Sequence, residues 1–209
     1  MKAVLVANPK GGAGKSTLAT NLAGYFAHQG GQVMLGDVDR QQSARAWLGV
    51  RPAAVPPIAS WDIRDGQPAR PPAGTTHVVL DTPAGLHGKL LDRVLKPVRR
   101  VIVPVQPSLF DILATRQFLE TLLAEKVVRK DKTFVAVVGM RVDARTRAAA
   151  ELERFLAQYD LPVLAYLRDT QAYVQAAAHG LTLFDLPPSR VGKDLEQWQP
   201  IIDWVEGEA

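Results

Sequence analysis

Cysteine is absent from all 209 residues, which excludes disulfides and thiolate metal sites. Histidine occurs four times, at His28, His77, His87 and His179, and no spacing among them suits a shared metal ion. No apolar run approaches the roughly 18 residues of a membrane span. No signal peptide stands before the first apolar run, so the expected compartment is the cytoplasm. No segment repeats. The charge balance is also weak: 25 basic and 21 acidic residues leave +4, enough for mild attraction to nucleic acid or anionic lipid but not enough to identify either. With 47% hydrophobic and 22% charged residues, the chain has the composition of an ordinary globular protein, and one domain over residues 1–209 is expected.

What is present is concentrated in residues 8–17, Asn8-Pro9-Lys10-Gly11-Gly12-Ala13-Gly14-Lys15-Ser16-Thr17. An apolar run from Ala3 to Ala7 reads as a buried strand, and Leu18, Leu22, Tyr25 and Phe26 are spaced as one face of a helix over Lys15–His28. Strand, glycine-rich loop and helix are the context of a phosphate-binding loop. Glycines let successive N–H groups turn inward around an anion, and the helix N-terminus adds its positive end. In that geometry Gly11, Gly12, Ala13, Gly14 and Thr17 cradle phosphate, Lys15 reaches the β- and γ-phosphates, and the Ser16 hydroxyl sits on Mg²⁺. Pro9 stands where the usual motif begins with glycine, and a second lysine, Lys10, opens the loop.

Lys-Gly-Gly-x-Gly-Lys-Ser/Thr resembles the deviant Walker A motif of the ParA/MinD superfamily of P-loop ATPases. The resemblance implies that Lys10 contacts nucleotide across a dimer interface, where a cation neutralises charge developing on the transferring phosphoryl group. Residues 36–47, which include Gly36-Asp37-Val38-Asp39-Arg40-Gln41-Gln42-Ser43, resemble the family's second signature, with Arg40 in place of the usual proline. By that match Asp39 orients the attacking water and Asp37 supports the magnesium site. Asp81-Thr82-Pro83-Ala84-Gly85 looks like the family's Walker B element, in which Asp81 holds a magnesium-bound water and Gly85 lies where the γ-phosphate is sensed. Pro107-Ser108-Leu109-Phe110-Asp111 is similar to a stretch that helps form the family's dimer face, although Ser108 is equally a helix N-cap. The family often places Asn-Arg against adenine. Here Met140-Arg141 stands instead, leaving Arg141, with Arg168 and Asp169, as the expected base-site residues. The guanine-reading motif of GTPases is matched only at Asp143, which favours ATP.

Further apolar runs at Gln32–Leu35, His77–Leu80, Val101–Val105, Phe134–Val138 and Leu161–Leu167 alternate with helix signals and bring the expected strands to six. They predict an α/β fold, a doubly wound, mostly parallel sheet flanked by helices, with phosphates bound at strand C-termini. Residues 50–76 are rich in proline and read as a surface excursion, with one short strand near Ile58–Ile63. The resemblance implies a Mg²⁺-dependent ATPase that forms an ATP sandwich dimer, binds DNA nonspecifically on the nucleoid and is stimulated by a ParB-like or cargo-adaptor partner. Arg145, Arg147, Arg190 and Lys193 are the candidate DNA contacts. Two other readings stay open: a MinD-like membrane-associated positioner and a P-loop metabolic ligase. The final helix pattern ends on acidic Asp203, Glu206 and Glu208, which argues against membrane attachment.

Overall fold

Alternating apolar runs and amphipathic segments build a layered structure in the computed structural model, which describes residues 1–39, 42–61, 63–64, 67–68, 71–130 and 132–207. Arg40, Gln41 and Glu208, noted above from the sequence, lie outside the described residues. In chain order the first elements are β1 (Lys2–Val6), α1 (Lys15–His28), β2 (Val33–Asp37), α2 (Ser43–Gly49) and β3 (Ala59–Trp61). A hairpin of β4 (Ile63–Arg64) and β5 (Gln67–Pro68) is followed by β6 (His77–Asp81), α3 (Gly88–Leu95), β7 (Arg100–Val105) and α4 (Leu109–Ala124). Then come α5 (Lys126–Arg129), β8 (Phe134–Gly139), α6 (Arg147–Leu156), β9 (Val163–Tyr166) and α7 (Gln171–Ala178). A 3-10 turn at Leu183–Asp185 and α8 (Pro188–Glu206) complete the described chain.

The main sheet has seven strands in the order β3-β2-β6-β1-β7-β8-β9, and every neighbouring pair is parallel. It therefore exceeds the six strands expected. The added one is β3, Ala59–Trp61 within the run where one short strand is expected, which pairs beside β2 at the sheet edge, so the proline-rich stretch contributes to the sheet as well as to the surface.

Period-two alternation sends neighbouring side chains to opposite faces. Ala3 and Leu5 of β1 join one core with α3, α4 and α6, through residues such as Leu91, Phe118 and Leu152. Val4 and Val6 join a second core with α1, α2 and α8, through Leu22, Trp47 and Trp198. Both faces are covered, which is why the strands read as continuous apolar runs. The apolar side of α8 (Trp198, Ile201, Ile202 and Val205) is buried in this second core.

One buried polar cluster anchors the proline-rich stretch to the rest. Asp185, whose side chain is fully covered, accepts from Arg51 Nη1 at 2.9 Å and Nη2 at 3.1 Å. It also pairs with His28 Nε2 at 2.8 Å and accepts from the Thr182 N–H and hydroxyl, each at 2.7 Å. Arg51 in turn donates to the Pro56 carbonyl, fixing the chain as it leaves α2.

Candidate functional site

Three strands end side by side at one edge of the sheet: Val6 of β1 pairs with Asp81 of β6, and Asp81 pairs with Asp37 of β2. The loop after β1 turns sharply, with Gly12 at φ +78° and Gly14 at φ +97°, a region that favours glycine. Gly14 is constrained twice over, because a Cβ there would stand 2.8 Å from Cε of Met140. The loop feeds α1 directly, so the N-terminus of that helix faces a cavity of about 290 Å³. Gly11 to Thr17, Asp39, Ser43, Thr82, Ala84 and Arg141 line it.

Lys15 is 7% exposed, and its ammonium donates to the Lys10 carbonyl at 2.9 Å. Burial lowers its pKa, while the nearby charges of Asp81 and Asp39 act the other way. The Ser16 hydroxyl donates to Asp81 Oδ2 at 2.6 Å, and the Thr82 N–H to Oδ1 at 3.0 Å. Burial pushes the Asp81 carboxyl up to about 7; Asp37 adds to the rise, against the opposing pull of Ser16, Lys15 and Thr82. A buried cation, a helix N-terminus and a hydroxyl–carboxylate pair at one end of a cavity suit a polyphosphate.

The profile of the CobQ/CobB/MinD/ParA nucleotide binding domain matches residues 4–183. The chain belongs to this family. It is 31% identical over 190 residues to "Maintenance of carboxysome distribution protein A" of Gloeobacter kilaueensis, covering 87% of this chain and 83% of that protein. It is 29% identical over 188 residues to "Chromosome-partitioning ATPase Soj" of Thermus thermophilus, covering 73% and 74% respectively. Among solved structures, an aspartate-to-alanine variant of McdA from Cyanothece in complex with ATP shares the fold at TM-score 0.73 and 16% identity, covering 100% of this chain and 97% of that one.

Within this ParA/MinD-type fold the expected residues are distributed unevenly. Asp37 fastens backbone: it accepts from Asp39 N at 2.9 Å, Ala44 N at 2.8 Å and Arg45 N at 3.3 Å, which holds the start of α2 beside the cavity. Burial raises its pKa, those three N–H groups lower it, and the Asp39 charge raises it again. Lys10 is half-buried at the mouth of the loop, and Gly85 N–H donates to the Pro9 carbonyl at 2.9 Å. Arg141 lines the cavity from a left-handed backbone at φ +53°. Asp169 is 4.0 Å from its Nε and largely exposed. Arg168 lies outside the cavity lining; its guanidinium donates to Asp194 at 2.6 and 3.0 Å. Met140 is buried under Gly14.

Of the candidate DNA contacts, Arg145 is held in a fork by Asp143 at 3.0 and 2.9 Å. Arg147 at the start of α6 and Arg190 and Lys193 on α8 are exposed. Ser108 caps α4 by accepting from Asp111 N at 3.2 Å. Two residues the sequence reading passed over also hold the loop. Asn8, fully buried, accepts from Lys10 N at 2.8 Å, and Gln106 donates to the Gly12 carbonyl. Their signal in the sequence is slight: a polar residue at the end of each of two apolar strands.

Proposed function

We propose that this chain is an ATP-driven dimerisation switch for partitioning DNA or positioning an intracellular cargo, hydrolysing ATP slowly to ADP and phosphate. One observation carries the reading. The loop bears two lysines: Lys15 is buried in the cavity, whereas Lys10 is half-exposed at its mouth and its ammonium has no hydrogen-bond or ion-pair partner among the described residues. The first serves its own site, and the second is available to a facing subunit. Leu109, Phe110 and Leu113 on the first turns of α4 are 61%, 73% and 47% exposed, an apolar patch suited to that contact. The relatives' names, carboxysome distribution and chromosome partitioning, support the positioning role.

In this scheme the loop N–H groups and Lys15 bind the phosphates, and Arg141 stands at the rim for the base. Asp39, also in the lining, orients the attacking water. The residues also fit Mg²⁺. Among the described residues no cluster of three or more His, Cys, Asp or Glu forms a cage. Ser16 and Asp81 supply the few oxygen donors that this ion takes when phosphates and water complete its shell. When bound, it neutralises charge on the phosphate oxygens. The basic Arg190 and Lys193 are proposed to meet DNA phosphates in the dimer, and an adaptor protein is proposed to stimulate hydrolysis.

Size-exclusion chromatography with ATP tests the division of labour. Asp39→Ala is expected to bind ATP and remain dimeric without turnover, and Lys10→Ala to bind ATP but elute as a monomer. Normal dimerisation of Lys10→Ala together with a monomeric Asp39→Ala would overturn the scheme.

A further inference from the structure

The phosphate loop is held from behind by side chains that do not line its cavity. Asn8 and Thr115 are both fully buried. Asn8 Nδ2 donates to the Pro104 carbonyl at 2.7 Å and to Thr115 Oγ1 at 2.9 Å, while its Oδ1 accepts from Lys10 N at 2.8 Å. This ties the start of the loop to β7 and α4. Four residues further along the loop, Gln106 Nε2 donates to the Gly12 carbonyl, again from the segment that joins β7 to α4. In a trans peptide the C=O of one residue and the N–H of the next point in opposite directions. Gln106 is outside the cavity lining and Ala13 is within it. A Gly12 carbonyl drawn toward Gln106 therefore turns the Ala13 N–H toward the cavity. Gly12 is at φ +78° with nothing within 4 Å of where a Cβ would be, so its side of the loop has little packing to fix that peptide plane.

We infer that Gln106 is a positioning residue for nucleotide: it sets the peptide between Gly12 and Ala13 so that an anion-binding N–H is aimed before ligand arrives, with Asn8 and Thr115 fixing the loop's other end. The inference rests on the nucleotide-binding reading of the cavity. It belongs to ligand organisation rather than to the core, since Gln106 is only half-buried and bonds to an exposed glycine.

The test is ATP affinity by titration calorimetry, alongside the melting temperature of the nucleotide-free protein. Gln106→Met keeps the length and removes the donor. Gln106→Glu keeps the shape and sets a carboxylate against the carbonyl. Loss of one hydrogen bond at its usual net strength raises Kd roughly three- to tenfold for Gln106→Met. A larger rise is expected for Gln106→Glu, with the nucleotide-free melting temperature unchanged in both. A residue that merely fills space would accept Met with no loss of affinity. Wild-type affinity in both variants, or a melting temperature that falls in step with affinity, overturns the inference. Lys15→Ala in the same titrations separates the two levels. If it still binds ATP as wild type does, the nucleotide reading fails; if it alone loses ATP, only the role of Gln106 fails.

Discussion

Replacing Lys15 by alanine removes the one buried ammonium in the cavity lining, and its cost can be worked from its surroundings. The ammonium is within 2.9 Å of a loop carbonyl and close enough to Asp81 and Asp39 for their charges to act on it. A phosphate oxygen bound in the same cavity would meet it at contact distance. Two unit charges about 4 Å apart interact by about 4 kcal/mol at an effective dielectric of about 20, which is about a thousandfold in Kd. The cavity opens to solvent, and a single charge-assisted hydrogen bond of about 1.5–3 kcal/mol sets the lower end, about ten- to a hundredfold. Stability moves the other way. Burial is the main influence on Lys15 and it lowers the pKa, so the charged form is less favourable in the folded chain than in the unfolded one. Nucleotide-free Lys15→Ala is therefore expected to melt no lower than wild type at pH 7. Titration with ATP and a thermal melt without it check both halves. Binding within threefold of wild type refutes the assignment of the loop, and a melting temperature lowered by more than about 3 °C, roughly 1 kcal/mol for a chain of 209 residues, shows that the lysine is structural.

Two further outcomes can be measured. Burial alone would raise the Asp185 pKa, but hydrogen bonds from Arg51, His28 and Thr182 outweigh it and hold the carboxyl below its ordinary value. The stability it contributes is present above the unfolded value of about 3.9 and is lost as pH falls through the lower folded value. Asp185→Asn breaks a buried pair at a cost of about 3 kcal/mol, so its gap from wild type in urea melts should be narrower at pH 3.5 than at pH 5; a gap unchanged between those two pH values sinks the argument. For DNA, binding in the presence of ATP should weaken with salt at a log–log slope of about −0.9 per phosphate neutralised, and replacing exposed Arg190 and Lys193 together should flatten it by up to about two. An unchanged slope removes both residues from the surface.

Legibility followed sequence distance. Lys15, Ser16 and the glycines could be read because one short segment, strand then turn then helix, carries both their spacing and their geometry. Asp81 and Asp37 could be brought together at one end of the sheet because each closes an apolar strand, and in a parallel sheet strands finish at a common edge. The edge strand at Ala59–Trp61 was harder to delimit, since three residues flanked by prolines give almost no period and the strand is held by its pairing with β2. What the sequence hid depends on partners far along the chain. Asn8 meets Thr115 across 107 positions, Gln106 meets Gly12 across 94, and Arg168 meets Asp194 across 26. No local spacing encodes such pairs.

Met140 shows the same limit from the other side. By motif it departs from the residue expected against a base. In three dimensions its side chain occupies the space that a Cβ on Gly14 would need, so a residue on β8's C-terminal side and a glycine before α1 constrain each other. The loop's chemistry is thus local, but its shape is held by β7, α4 and the end of β8. Substitutions in those elements should alter nucleotide affinity without touching a phosphate-binding residue.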